Sequence, residues 1–100
     1  TSSHTNVDET KLPIRFSLSQ NYPNPFNPST KISWQSSVSS HQTLKVYDIL
    51  GNEVATLVDE YRNAGNYEIE FDASELSSGI YFYKLSAGSF VETKKMILLR

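Results

Sequence analysis

Apolar and polar residues alternate along most of the chain between Phe16 and Leu99. The clearest example is Tyr67–Asp72, where three apolar side chains alternate with three carboxylates. An alternation of period two places successive side chains on opposite faces of a β-strand, so one face is buried and the other is solvated. Together these runs predict a buried core made of Ile32, Trp34, Leu44, Val46, Tyr67, Ile69, Phe71, Tyr81, Tyr83 and Leu85.

Turn-forming segments rich in Gly, Asn and Ser separate the apolar runs. They lie at residues 36–40, 51–52, 64–66, 77–79 and 87–89. Short strands roughly 8–12 residues apart are typical of an antiparallel β-sandwich. We therefore predict an all-β protein, an Ig-like antiparallel β-sandwich of about seven strands. No helix is expected, and Asp59–Asn63 has room for one helical turn at most.

The segment from Leu76 to Tyr81 resembles the tyrosine corner of Ig-like sandwiches. In that motif a tyrosine after a tight corner donates a hydrogen bond to a backbone carbonyl a few residues upstream. Tyr83 then occupies the place where antibody domains have their second cysteine. The alternative is that Tyr81 and Tyr83 are simply core aromatic residues of a strand.

The first residues differ in character from the rest of the chain. Residues 1–14 have almost no hydrophobic pattern and contain Pro13, so we predict a linker there and a folded domain at residues 15–100. The chain starts without methionine, without a basic region and without an apolar signal segment. It is therefore expected to be part of a longer protein, preceded by another domain.

Composition narrows the class of protein. Of the 100 residues, 38% are hydrophobic and 20% are charged, as in a globular module. The longest apolar run is Met96–Leu99, far short of the roughly 20 residues that a transmembrane helix needs. The net charge of −2 argues against nucleic-acid binding. Acidic residues dominate positions 48–75, whereas basic residues dominate positions 84–100.

No residue pattern indicates catalysis, a metal site or a cofactor. The sequence lacks cysteine, and His4 and His41 lie far apart. The acidic residues of Tyr67–Asp72 alternate with core positions, so we expect them to face solvent rather than form a catalytic or Ca²⁺ site. An aromatic platform for carbohydrate remains an alternative, although Trp34 is the only tryptophan and most aromatic residues lie on the buried phase of strands.

A proline-rich segment, Asn21–Thr30, lies between the first two predicted strands. Its three prolines at positions 23, 25 and 28 fix φ and remove backbone donors, so the segment is neither helix nor paired strand. On physical grounds alone it is a stiff crossover between the two sheets, with Phe26 filling one end of the core.

Five blocks of sequence, in order, resemble the type A C-terminal sorting domain of the type IX secretion system. They are Asn21–Pro28, Leu44–Gly51, Ala64–Tyr67, Leu76–Leu85 and Thr93–Arg100. That family is related to the Ig-like domain of the flagellar hook-capping protein, which agrees with the predicted sandwich. The resemblance covers residues 18–100, about four-fifths of the chain.

The resemblance implies a non-catalytic signal that directs a passenger protein out of a Bacteroidetes-type bacterium. It implies transit through the periplasm, recognition by an outer-membrane translocon and its shuttle protein, and release to the cell surface or the medium. A sortase-like cysteine peptidase is expected to cut the linker before about Arg15. By motif, the recognition residues are Pro23, Asn24, Pro25, Gly79, Tyr81, Lys94 and Lys95.

Two other functions remain open at this point. The domain is alternatively a non-covalent anchor that holds an enzyme at the cell surface, or a carbohydrate-binding module of a multidomain enzyme.

Overall fold

A computed structural model describes residues 15–100, so the predicted linker at residues 1–14 lies outside the described part of the chain. The seven strands are β1 (Ser17–Leu18), β2 (Ser29–Ser36), β3 (Ser40–Tyr47), β4 (Glu53–Arg62), β5 (Gly65–Asp72), β6 (Gly79–Ala87) and β7 (Phe90–Leu98). Residues 15–100 contain no helix. The predicted all-β class and strand number are confirmed.

The strands form two antiparallel sheets that pack face to face. One sheet has three strands in the order β1-β2-β5, and the other has four in the order β4-β3-β6-β7. Residues from both inner faces meet in one core, so the predicted sandwich is confirmed. In each sheet the hydrophobic alternation seen in the sequence corresponds to the alternation of buried and exposed positions.

The helical turn that the sequence allowed at Asp59–Asn63 does not form. Strand β4 continues to Arg62, and its last residues pair with the start of β3 through Asp59↔Thr43 and Arg62↔Ser40. The register between these strands shifts twice, between Leu44 and Lys45 and again between Val46 and Tyr47. Such irregularities place an extra residue between paired positions. They break the period-two pattern in β4, so the alternation did not show that this strand continues to Arg62.

Most of the predicted core is buried. Eight of the ten predicted residues are at most 8% exposed, and they are Ile32, Trp34, Leu44, Val46, Phe71, Tyr81, Tyr83 and Leu85. The other two, Tyr67 and Ile69, are only partly buried because β5 is an edge strand of the smaller sheet. Arg62 reaches over the ring of Tyr67, with its guanidinium carbon 5.0 Å from the ring centroid.

The tyrosine corner is confirmed. The Tyr81 hydroxyl donates a hydrogen bond of 2.7 Å to the carbonyl of Ser77, four residues upstream. This bond fixes the turn that leads from the β5–β6 connection into β6. Tyr81 is therefore both a core aromatic residue and a bond between the strand and its preceding loop.

Tyr83 joins the two sheets at the position of the antibody cysteine. Its side chain lies on β6 of the four-stranded sheet and is fully buried. Its hydroxyl donates to the carbonyl of Ser19 at 2.7 Å and accepts from the backbone N–H of Asn21 at 2.8 Å, both just after β1 of the other sheet. Burial raises the pKa of Tyr83 to about 12.

Candidate functional site

The segment between β1 and β2, residues 21–28, is named here the proline loop. Its first residue, Asn21, is 2% exposed and donates from Nδ2 to the carbonyl of Pro23 and to Oγ1 of Thr30. Thr30 in turn donates from Oγ1 to the Pro23 carbonyl at 2.8 Å. Tyr22 and Lys31 exchange two backbone hydrogen bonds of 3.0 and 2.9 Å. The base of the loop is therefore fixed by hydrogen bonds that do not need the proline nitrogens.

The expected crossover between sheets is only half correct. The proline loop connects β1 and β2, which are neighbours in the same sheet, so the chain does not change sheets here. The tip of the loop nevertheless reaches the other sheet, because Phe26 forms a parallel bridge with Leu98 of β7. The ring of Phe26 is 2% exposed and lies against Phe71, so its predicted place at the end of the core is confirmed.

The proline loop covers the outer edge of the C-terminal half of β7. The N–H of Phe26 donates to the carbonyl of Ile97, and the N–H of Leu99 donates to the carbonyl of Phe26, both at 2.9 Å. The side chain of Asn24 accepts a bond of 3.0 Å from the N–H of Ile97. This half of the edge of the last strand is therefore paired. The prolines have no N–H groups, so the loop does not pair as a regular strand with its sequence neighbours. The N–H and the carbonyl of Phe26 therefore remain available to bond to β7, which is remote in sequence.

The structure brings most of the candidate residues to one end of the sandwich. Pro23, Asn24 and Pro25 are exposed on the proline loop, whose tip is hydrogen-bonded to β7. On β7, Lys95 is exposed and its carbonyl accepts a bond of 2.7 Å from Gln20. The loop and the last strand therefore form one continuous surface.

The lysine pair follows the alternation expected of adjacent strand residues. Lys95 points away from the core, whereas Lys94 lies on the same face as Met96 and Leu98 at the rim of the sandwich. The ammonium of Lys94 lies 3.3 Å from a carboxylate oxygen of Glu92. Both side chains are about one-third exposed, so this ion pair is a weak surface interaction.

Gly79 and Tyr81 lie on β6, opposite Leu98 and Met96 of β7. Gly79 is exposed and has a φ of 153°, in the region that favours glycine. Tyr81 is 8% exposed, so its ring supports the surface from inside rather than contributing to it. These two residues shape the turn and strand on which β7 lies.

Arg100 holds the last residues to the β5–β6 connection, a role that the sequence did not indicate. Its guanidinium donates to three backbone carbonyls, those of Ala73 at 3.2 Å, Ser74 at 3.0 Å and Leu76 at 2.8 Å. No local sequence pattern around a single arginine predicts such contacts. Gln20 was missed for the same reason, because its partner Lys95 is remote in sequence.

The remaining candidate features have ordinary surroundings. The carboxylates of β5, on Glu68, Glu70 and Asp72, are exposed as predicted. His41 forms an exposed pair with Asp59 at 2.6 Å, and His4 lies outside the described residues. Residues 15–100 contain no group of three or more histidines and carboxylates placed to hold a metal ion. Trp34 is 2% exposed, so it offers no platform for a sugar ring.

Comparisons with known proteins agree with this architecture. The model of the secretion system C-terminal sorting domain family matches residues 20–99. No curated protein matches the chain. Among solved structures, the chain is similar to PorZ, described as an essential bacterial surface component of the type-IX secretion system of Porphyromonas gingivalis. That match has a TM-score of 0.59 and 16% sequence identity, and it covers 81% of this chain and 11% of PorZ.

At this identity the likeness to PorZ shows a shared fold, whereas the family match rests on the sequence itself. Within the described part of the chain, no helix is long and apolar enough to cross a membrane. The family model matches residues 20–99, which run from the proline loop through the tyrosine corner to the end of β7, and the chain belongs to the secretion system C-terminal sorting domain family, whose members are sorting signals for type IX secretion.

Proposed function

We propose that the domain acts without catalysis, as a folded docking surface that a component of the secretion machinery binds. A sorting signal of this kind implies export to the cell surface or the medium, and a non-catalytic role is consistent with the family. The observation that carries the proposal is the hydrogen-bonded union of the proline loop with the last strand. It places Pro23, Asn24, Pro25 and Lys95 on one surface.

The chemistry of this surface favours a partner with carboxylates. Lys95 is exposed on β7 just before the residues that the proline loop contacts, Lys94 lies at the rim beside Glu92, and Arg100 adds a third cation beyond the end of β7. Charged groups at an interface steer the encounter and fix the register of docking. The proline loop contributes shape, because its conformation is fixed before binding and little entropy is lost on docking. The proposed partners are the outer-membrane translocon and its shuttle protein.

The ends of the described chain support this arrangement. Phe16 stacks on Phe90 at the start of β7, with 4.9 Å between ring centroids. The proline loop and Arg100 lie at the other end of β7. A passenger joined upstream of residue 15 would therefore be attached at the end of the sandwich opposite the docking surface. We propose that a sortase-like cysteine peptidase cuts this connection after passage through the periplasm.

The experiment that tests the proposal is an export assay. Residues 1–100 are fused to the C-terminus of a periplasm-targeted reporter in a bacterium with a type IX secretion system. We expect the reporter at the cell surface or in the medium, and a matched fusion that lacks residues 93–100 should stay in the periplasm. An intact, folded fusion that stays in the periplasm contradicts the proposal. Export with the domain still attached at the surface indicates that it also acts as the anchor.

A further inference from the structure

A shallow cleft of about 260 Å³ lies on the outer face of the four-stranded sheet, beside the turn between β3 and β4. It is lined by Tyr47, Ile49 and Gly51 at that turn, by Phe82 and Lys84 of β6, and by Thr93 of β7. None of these residues belongs to the proline loop or bonds to it. The cleft is therefore a second feature of the surface, distinct from the loop.

The floor of the cleft is aromatic, although it lies outside the core. Tyr47 and Phe82 are paired across β3 and β6, so their side chains are neighbours on one face. Both are only partly buried. Ile49 is 68% exposed at the side of the cleft. Aromatic and aliphatic surface of this kind is the usual anchor point of a protein interface, because covering it removes apolar area from water.

The turn that carries Ile49 is held in place by its own hydrogen bonds. Asp48 also lines the cleft, and its carboxylate accepts bonds of 2.9 Å from the N–H groups of Leu50 and Asn52. Gly51 has a φ of 88°, in the left-handed region that favours glycine. The side of the cleft is thus formed before a ligand binds, so binding orders little of the chain.

Two lysines beside the aromatic floor have no carboxylate within 4.0 Å among residues 15–100. The ammonium of Lys84 lies over the ring of Tyr47, 5.6 Å from its centroid. Lys95 is exposed on the neighbouring strand β7. Lys45 differs from them, because its ammonium already lies 3.6 Å from a carboxylate oxygen of Glu53. An anionic group of a ligand therefore meets two available cations here.

We propose that the cleft binds an extended segment of a partner protein in which an apolar side chain is followed by a carboxylate. The apolar side chain packs on Tyr47 and Phe82, and the carboxylate bonds to Lys84. Pockets that hold a whole small molecule measure roughly 300–1,000 Å³, so this smaller cleft fits one side chain. The segment is part of the docking partner in the proposed function, on which this inference rests.

Lys95 connects the cleft to the proline-loop surface. Its side chain lies across from Phe82 on the outer face, and its carbonyl bonds to Gln20, just before the proline loop. Neighbouring strands are about 4.8 Å apart, so two or three residues of an extended segment reach from Phe82 to Lys95. One partner can therefore contact the cleft and the proline loop together.

Nuclear magnetic resonance titration of residues 1–100 with the capped peptide Gly-Ser-Leu-Asp-Ser-Gly tests the cleft. We expect saturable shifts of the amide signals at residues 47–51 and 82–84, with the millimolar affinity of a small contact. A peptide with Ser in place of Leu, or with Asn in place of Asp, should bind about threefold more weakly. A natural chain without shifts at these residues overturns the inference, as does equal binding of all three peptides.

Two variants identify the groups that bind the peptide. Lys84→Gln should bind the Asp peptide about threefold more weakly and the Asn peptide as well as the natural chain does, because the lost interaction is with the carboxylate. Ile49→Ser should weaken both peptides. The matched controls are Lys31→Gln, on the other sheet, and Tyr61→Ser, an exposed apolar position far from the cleft. Thermal unfolding establishes that each variant is folded. A folded Lys84→Gln that keeps the full preference for Asp overturns the inference.

Export of the fused reporter separates this inference from the proposed function. The double variant Ile49→Ser/Lys84→Gln should export less reporter than the natural domain, whereas Lys31→Gln/Tyr61→Ser should export normally. If the natural domain is exported and the cleft variant is exported equally well, the inference is overturned and the proposed function stands. If the natural domain is not exported, the proposed function fails, and the peptide titration still confirms or overturns the chemistry of the cleft.

Discussion

Two polar side chains carry much of the long-range order in this small sandwich. Tyr83 connects β6 to the segment after β1, and Asn24 connects the proline loop to β7. The two Tyr83 bonds are buried or partly buried, whereas the Asn24 bond is exposed. A hydrogen bond contributes about 0.5–1.5 kcal/mol, and an orphaned buried group costs more.

Replacing Tyr83 with phenylalanine should destabilise the fold. The change leaves the Ser19 carbonyl and the Asn21 N–H without their partner, and we expect a loss of about 1–3 kcal/mol in the free energy of unfolding. Urea unfolding measures this loss. Tyr61→Phe is the matched control, because Tyr61 is 65% exposed and should tolerate the change. Equal midpoints for the two variants would show that the Tyr83 hydroxyl contributes little.

The raised pKa of Tyr83 also predicts how the stability of the fold changes at alkaline pH. Burial raises its pKa in the folded state to about 12, whereas an unfolded tyrosine titrates near pH 10. The unfolded chain therefore loses the proton first, so this contribution is complete below about pH 10 and is lost as pH rises toward 12. Melting temperatures measured across this range should fall more steeply for the natural chain than for Tyr83→Phe. Parallel curves for the two proteins would contradict the assignment.

At the scale of elements, the last strand is divided into two halves with different protection. Its C-terminal half is hydrogen-bonded to the proline loop and to Gln20, whereas β1 lies beside its N-terminal half without a backbone hydrogen bond to it. Natural edge strands commonly carry lysines or covering loops that prevent unwanted pairing. Here the loop protects residues 97–99, which are the end of the candidate docking surface.

Hydrogen exchange can measure this protection residue by residue. In Asn24→Ala the Ile97 N–H loses its acceptor, and a loss of about 1 kcal/mol corresponds to roughly fivefold faster exchange. The Met96 amide, which points toward β6, should keep its protection. Asn27→Ala is the control, since Asn27 is an exposed asparagine on the same loop. Unchanged exchange at Ile97 would mean that the Asn24 side chain does not cover the edge.

At the scale of the molecule, folding and recognition are separable. Lys94 and Lys95 contribute little to the core, so Lys94→Ala/Lys95→Ala should change the free energy of unfolding by no more than about 0.5 kcal/mol. The same double variant should export less of a fused reporter, because the docking surface loses two charges. Lys31→Ala, on β2 of the other sheet, should export normally. Full export of the double variant would show that these lysines are only solvated surface residues and that the signal lies in the proline loop.

The sequence by itself determined the local features of this protein. The alternation in β2, β3, β5, β6 and β7 indicated strands and their buried faces, because a strand places alternate side chains on opposite sides. The order of Leu76, the turn and Tyr81 indicated the tyrosine corner, because its hydrogen bond spans only four residues. The five sequence blocks also indicated the family.

Only the tertiary structure decided the contacts between remote segments. Asn24 with Ile97, Tyr83 with Ser19, and Arg100 with the β5–β6 connection join positions far apart in the chain. No local period encodes such pairs, because each depends on how the sheets pack. The continuation of β4 to Arg62 could not be read from the sequence, because two register shifts disturb its alternation. Only the C-terminal half of the last strand is hydrogen-bonded to the proline loop, because the rigid loop meets β7 from Ile97 onward.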